Sequence, residues 1–162
     1  MAYAEYLDNH IKTVQQVFRS ILKPCLYDVM DTPTLYRLEC NISNHDRDKY
    51  SYSIYPAYAN HYDDPEHFPK NSHEYRCAWN EHQKHNPHHW QYWVLLCDIE
   101  DEKQVALEMD ILSVFEMMCD WHAASINHGT GTGYDWYMSQ KDNMILHPKT
   151  RELIEQYIHL FQ

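Results

Sequence analysis

Met109-Asp110-Ile111-Leu112-Ser113-Val114-Phe115-Glu116-Met117-Met118-Cys119-Asp120-Trp121-His122-Ala123 lies within residues 103–127, the longest periodic segment of the chain. Met109, Leu112, Phe115, Glu116, Cys119 and Ala123 recur at intervals of three and four, the spacing of one buried helix face. The spacing predicts a single helix over 103–127, with Asp120 at the edge of its apolar stripe. A carboxylate there is costly unless a partner meets it. All three glycines, Gly129, Gly131 and Gly133, follow directly. They follow no predicted strand, so they read as a helix-ending turn rather than a phosphate-binding loop.

The flanking segments keep the helical period. Leu153, Ile154, Tyr157, Ile158 and Phe161 predict a last helix over 149–161, started by Pro148. Trp90, Trp93, Val94 and Cys97 predict a short one over 88–97. Ser72 caps a helix from 73 to about 86, with Tyr75, Ala78, Trp79 and His82 on one side, and Pro87 ends it. Residues 50–71 hold Pro56, Pro65 and Pro69 and read as a short helix followed by a loop. Thr32-Pro33 reads as cap and first turn of a helix whose face carries Leu35, Leu38, Ile42 and His45. Leu7, Ile11, Val14, Phe18 and Ile21 predict a first helix over 4–22, closed by Pro24, with His10 on its stripe. The expected architecture is all-α, a single-domain helical bundle over residues 1–162.

Composition supports this. A chain of 162 residues can bury a real core, and 14% aromatic content argues against disorder. Three glycines are too few for the many tight turns of a sandwich or barrel. The formal charge of −11 excludes an extended duplex nucleic-acid surface, which needs clustered Lys and Arg. It leaves room for a small phosphorylated substrate if metal ions supply positive charge locally. The longest apolar run, Trp93 to Cys97, is too short to span a bilayer. No basic, apolar leader opens the chain, and five cysteines without a Cys-x-x-Cys pair suit a reducing compartment. No membrane association and a cytoplasmic location, in a host cytoplasm if the chain is phage-encoded, are the expectations.

Thirteen histidines carry the chemistry. Four lie in His82-Gln83-Lys84-His85-Asn86-Pro87-His88-His89-Trp90, and one in the doublet His45-Asp46. Imidazole and carboxylate together hold a divalent metal while leaving positions open for water or substrate. A His-Asp doublet offers nitrogen and oxygen from adjacent positions, and its carboxylate can bridge two ions. Lys49, a turn beyond His45, could neutralise a phosphoryl oxygen. His61, His67 and His73 read as surface residues, and Trp90 and Trp93 as core that steadies the histidine segment.

In chain order come His10, His45-Asp46, the histidines of 82–89, and Asp120. This order resembles the HD-domain superfamily of metal-dependent phosphohydrolases: an early helical His, a His-Asp doublet, additional histidines and a late helical Asp. Members with the additional histidines commonly hold two metals, and a few are di-iron oxygenases. Ala78-Trp79, His82-Gln83, Asn86 to Trp93, Asp120-Trp121, Trp136-Tyr137 and Leu146-His147-Pro148 are also similar to a small family of unknown function found in phages and bacteria. Where that family favours Leu/Met-Ser-Lys-Phe-Ser, this chain has Arg47-Asp48-Lys49-Tyr50-Ser51, keeping the lysine.

The resemblance implies an HD-like domain with one or two divalent transition metal ions, Fe, Mn or Zn. His10, His45, Asp46, His82, His85, His89 and Asp120 are the candidate ligands. Lys49 and His88 are the candidate catalytic residues, Lys49 for phosphate and His88 for proton transfer, with His85 and His88 open between ligation and proton transfer. The leading expectation is hydrolysis of a nucleotide or other small phosphoester by a metal-activated water. One alternative is an HD-type di-iron oxygenase. Another is a non-catalytic acidic phage protein that binds a host protein.

Overall fold

The structure, a computed structural model, describes residues 2–162. Its elements in order are α1 (Tyr3–Val17), α2 (Lys23–Leu26), α3 (Thr32–Asn44), α4 (Tyr55–Asp63), α5 (His73–His85), β1 (Val94–Ile99), β2 (Glu102–Ala106), α6 (Ile111–His128), α7 (Gly133–Gln140) and α8 (Pro148–Tyr157). The fold is all-α, as expected, apart from one hairpin.

Leu7, Ile11, Val14 and Phe18 are buried, as their period predicts. Pro24 does not end this helix. A π turn over Phe18–Leu22 carries it on through α2, with the Lys23 N–H reaching back to the Phe18 carbonyl. A proline lacks the N–H donor and crowds the carbonyl four residues earlier, and the wider π turn sits immediately ahead of it. The extra width shifts the stripe by one position: Leu22 is fully buried while Ile21 only packs against the core.

Asp31 caps α3, its carboxylate accepting the Thr34 N–H at 2.8 Å, so the cap lies one residue before the expected Thr32. Leu35, Leu38 and Ile42 face inward as predicted. The helix stops at Asn44, which leaves His45 and Asp46 in the turn beyond it. Ser72 caps α5 as expected, and that helix buries Ala78 and His82.

Two predicted helices are corrected at the hairpin. Residues 88–97 form a 3₁₀ turn, Trp90–Trp93, and then β1. A short unbroken apolar run carries no period that separates strand from helix. Val94, Leu95 and Leu96 pair antiparallel with Ala106, Val105 and Gln104, and the register shifts before Ile99 meets Glu102. Residues 103–106 are thereby taken from the helix predicted over 103–127. Asp110 then starts α6, accepting from the Ser113 N–H at 3.0 Å and its hydroxyl at 2.7 Å.

The helix α6 is the centre of the molecule. Ser113 to Cys119 are buried without interruption, the mark of a helix enclosed on all sides. It packs against α1, α3, α7 and α8. Gly129, at φ +64°, ends it in the left-handed region, as the glycine run suggested. The chain then forms α7, a helix with too short a period to stand out in the sequence, begun by a capping box between Thr132 and Asp135. No helix of the described residues is long and apolar enough to cross a membrane.

Candidate metal centre

Five segments deliver side chains to one buried point. His10 comes from α1, His82 from α5, and Glu116 and Asp120 from successive turns of α6. His45 and Asp46 come from the turn after α3, and His88 and His89 from the turn that Pro87 opens. Asp46 is the one non-glycine residue with positive φ among those described, at 57°. Asp tolerates this conformation better than most residues, and such backbone settings concentrate at functional sites.

The two oxygens of Asp46 face two different sets of nitrogens. Oδ1 lies 3.3 Å from His82 Nε2 and 3.5 Å from His88 Nε2, and His89 Nε2 lies 2.8 Å from His82 Nε2. Oδ2 lies 3.6 Å from both His10 Nε2 and His45 Nε2. Asp120 Oδ1 closes this second set, 3.0 Å from His10 Nε2 and 3.6 Å from His45 Nε2. Asp46, His82, His88 and His89 thus form one group of potential ligands, and His10, His45 and Asp120 form another.

These residues fit metal ions. His45 Nε2, His88 Nε2 and Asp46 Oδ1 are buried without a hydrogen-bond partner, a costly state that a cation would relieve. Ligand atoms about 2.1 Å from an ion stand about 3.0 Å apart at right angles and about 3.4 Å apart at tetrahedral angles. The separations above bracket those values. The buried His/Asp clusters could therefore hold metal.

Outer contacts aim the imidazoles. Glu116 Oε1 lies 2.9 Å from His45 Nδ1 and 3.2 Å from His88 Nδ1. Asp48 Oδ2 accepts from His82 Nδ1 at 2.7 Å and from the Asn86 amide at 2.7 Å. A carboxylate on Nδ1 fixes the tautomer that leaves the Nε2 electron pair free for metal. Burial pushes the Glu116 carboxyl up, but hydrogen bonds from His45 and His88 outweigh it and hold it at about 2. Burial likewise opposes charge on Asp46 and Asp120. His45 and Lys49 hold Asp46 well below the carboxylate range, and His10 and His45 do so for Asp120. Burial, with His88 and His82 alongside, keeps His89 well below the ordinary imidazole range, in the neutral form that a metal requires.

Eight of the nine residues singled out from sequence meet here. His85 does not: it is exposed, with Nδ1 bonded to the Glu81 carbonyl of its own helix at 2.8 Å. His88, read from the sequence as open between ligation and proton transfer, is buried, with Nδ1 3.2 Å from Glu116 Oε1 and Nε2 3.5 Å from Asp46 Oδ1. Lys49 Nζ lies 2.5 Å from Asp46 Oδ2. Glu116 falls at a core position of its stripe, yet a charged residue one turn before Asp120 on a buried face is itself a signal. Asp48 carries none. Glu116→Gln is expected to weaken metal binding roughly 10- to 100-fold, while His85→Ala leaves it unchanged; titration of metal-free protein with Mn²⁺ or Zn²⁺ checks both.

Two cavities of several hundred Å³ open onto the cluster, beside a smaller one of about 220 Å³ at His88 and Glu116. One, about 490 Å³, is walled by Trp79, Trp90, Trp121 and Trp136 and reaches His88, His89 and Asp120. The other, about 380 Å³, is lined by tyrosines with Lys49, Lys70 and His61, and reaches His10 and Asp120. His61 therefore lines a cavity, whereas His67 and His73 are exposed as expected. Trp90 and Trp93 pack partly against the core, and the Trp93 indole donates to the Pro87 carbonyl at 2.7 Å, which steadies the histidine turn.

The chain matches no curated protein and no solved structure. One family profile matches residues 1–160, nearly the whole chain, so the protein belongs to a family of unknown function, DUF5662.

Proposed function

We propose that this protein is an HD-type metal-dependent phosphohydrolase acting on a small phosphate ester. The observation that carries this reading is the division of Asp46, one oxygen turned to His82 and His88 and the other to His10 and His45. Its support is the order His10, His45-Asp46, His82, His88-His89, Asp120 along the chain, converging on one buried point. His10, His45, Asp46 and Asp120 would hold one ion, and Asp46, His82, His88 and His89 a second. When bound, such ions supply a Lewis acid and lower the pKa of water enough to make it a nucleophile near neutral pH.

The chain's own residues supply the rest. Lys49 lines the tyrosine cavity beside Asp46, and Asp46 and Asp120 outweigh its burial to keep it protonated. Its ammonium is placed to offset charge on a phosphoryl oxygen. The Tyr58 hydroxyl, buried without a partner and lining the same cavity, is a donor for another.

The test is turnover of a phosphoester panel by protein loaded with Mn²⁺, Zn²⁺ or Fe²⁺. Lys49→Met is expected to lower turnover on the order of 100-fold while metal content stays at the wild-type level. Wild-type protein that is fully loaded but inert on every ester removes the hydrolase reading. Five histidines about one aspartate also suit iron, which favours a di-iron oxygenase as the second reading. Oxygen uptake by iron-loaded protein on substrate addition identifies it.

A further inference from the structure

The phosphohydrolase reading leaves the larger cavity without a task. It has the composition of a built binding site: indole walls, the Met117 thioether, and polar Gln91 and Thr130 among its lining. Trp121 and Trp136 stand 4.7 Å apart between ring centroids, inclined at 40°. Four of the chain's five tryptophans are gathered there. A mostly apolar enclosure with a few polar groups is the usual form of a small-molecule site, and indole faces take up flat rings by stacking.

Charge is divided between the cavities. Among the described residues no lysine or arginine lines the tryptophan cavity, while Lys49 and Lys70 both line the tyrosine one. The two meet at Trp79, Asp120, Ala124 and His128, which line both. Asp120, Ala124 and His128 recur every fourth residue on one face of α6 and form the shared floor. A molecule lying across that floor would put its anionic end beside Lys49, its reacting bond over the metal ligands, and its other end among the indoles.

We propose that the tryptophan cavity is the subsite for a flat, uncharged ring system at the non-phosphorylated end of the substrate. This rests on the phosphohydrolase reading only for what occupies the tyrosine cavity. Trp136, on α7, sets the preference for a ring over an open-chain or sugar end.

The test is calorimetric binding to Mn²⁺-loaded protein of four probes: adenosine, phenyl phosphate, ribose 5-phosphate and inorganic phosphate. Adenosine is expected to bind without any phosphate, and phenyl phosphate roughly tenfold or more tighter than ribose 5-phosphate. Trp136→Leu is expected to abolish adenosine binding and the phenyl advantage, with metal content and ribose 5-phosphate affinity unchanged. Binding of adenosine with no response to either phosphate ester keeps the ring subsite and removes the phosphohydrolase reading. No binding of adenosine by wild-type protein, together with equal affinity for the two esters, overturns the subsite, and that comparison depends on no variant.

Discussion

Asp46→Asn is expected to strip metal from both halves of the centre at once and reduce turnover to background. Asp46 is the side chain that turns one oxygen to each set of nitrogens, so under the two-ion reading losing its charge weakens both. Loss of an outer carboxylate costs about 10- to 100-fold in metal affinity, and loss of a shared inner one costs more, so roughly 100-fold is the floor. Asparagine suits this test because it also tolerates the left-handed backbone at this position. Alanine would add backbone strain and remove Lys49's partner altogether. Elemental analysis of the variant purified beside wild type reads the result. An Asp46→Asn protein with wild-type metal content would remove the bridging role, whatever its activity.

Chelation gives the second large effect, on stability. Ligand bound only by the folded state, at about 1,000 times its dissociation constant, stabilises by about 4 kcal/mol. For a chain of this size each kcal/mol moves the midpoint roughly 2–4 °C, so excess EDTA is expected to lower Tm by roughly 8–16 °C. The same treatment of the Asp46→Asn protein is expected to do almost nothing, because little metal remains to remove. Superimposable wild-type melts with and without chelator would mean that the cluster holds no ion tightly, and the orphaned nitrogens of His45 and His88 would need another explanation.

The fold was legible wherever one apolar face repeated for several turns. Leu7, Ile11, Val14 and Phe18 follow their spacing into the core, while Phe115, Cys119 and Ala123 are buried in a helix enclosed nearly all round. It was not legible where local chemistry broke the period. The π turn before Pro24 exchanged Ile21 for Leu22, and Asp110 restarted the chain as a helix after a strand. Val94 to Leu96 gave no period at all, so cross-strand pairing decided their state.

In the site, polar residues on apolar stripes were the readable signal, which is why His10 and Asp120 stood out. His85 misled because it sits three residues from His82, whereas α5 turns inward only at Ala78 and His82, four apart. The outer acids were harder to find. Glu116 was hidden by its regular spacing, and Asp48 lies in a short 3₁₀ turn with no face of its own.

The spread of the candidate ligands along the chain also bears on the order in which the site can be assembled. They begin at His10 and finish at Asp120, on a helix that completes only at His128. A growing polypeptide emerging from the ribosome therefore lacks the Asp120 carboxylate long after His10 and His45 have been made. Any ion held by His10, His45 and Asp120 can be gained only after Asp120 is made, whereas the set of Asp46, His82, His88 and His89 is complete at residue 89.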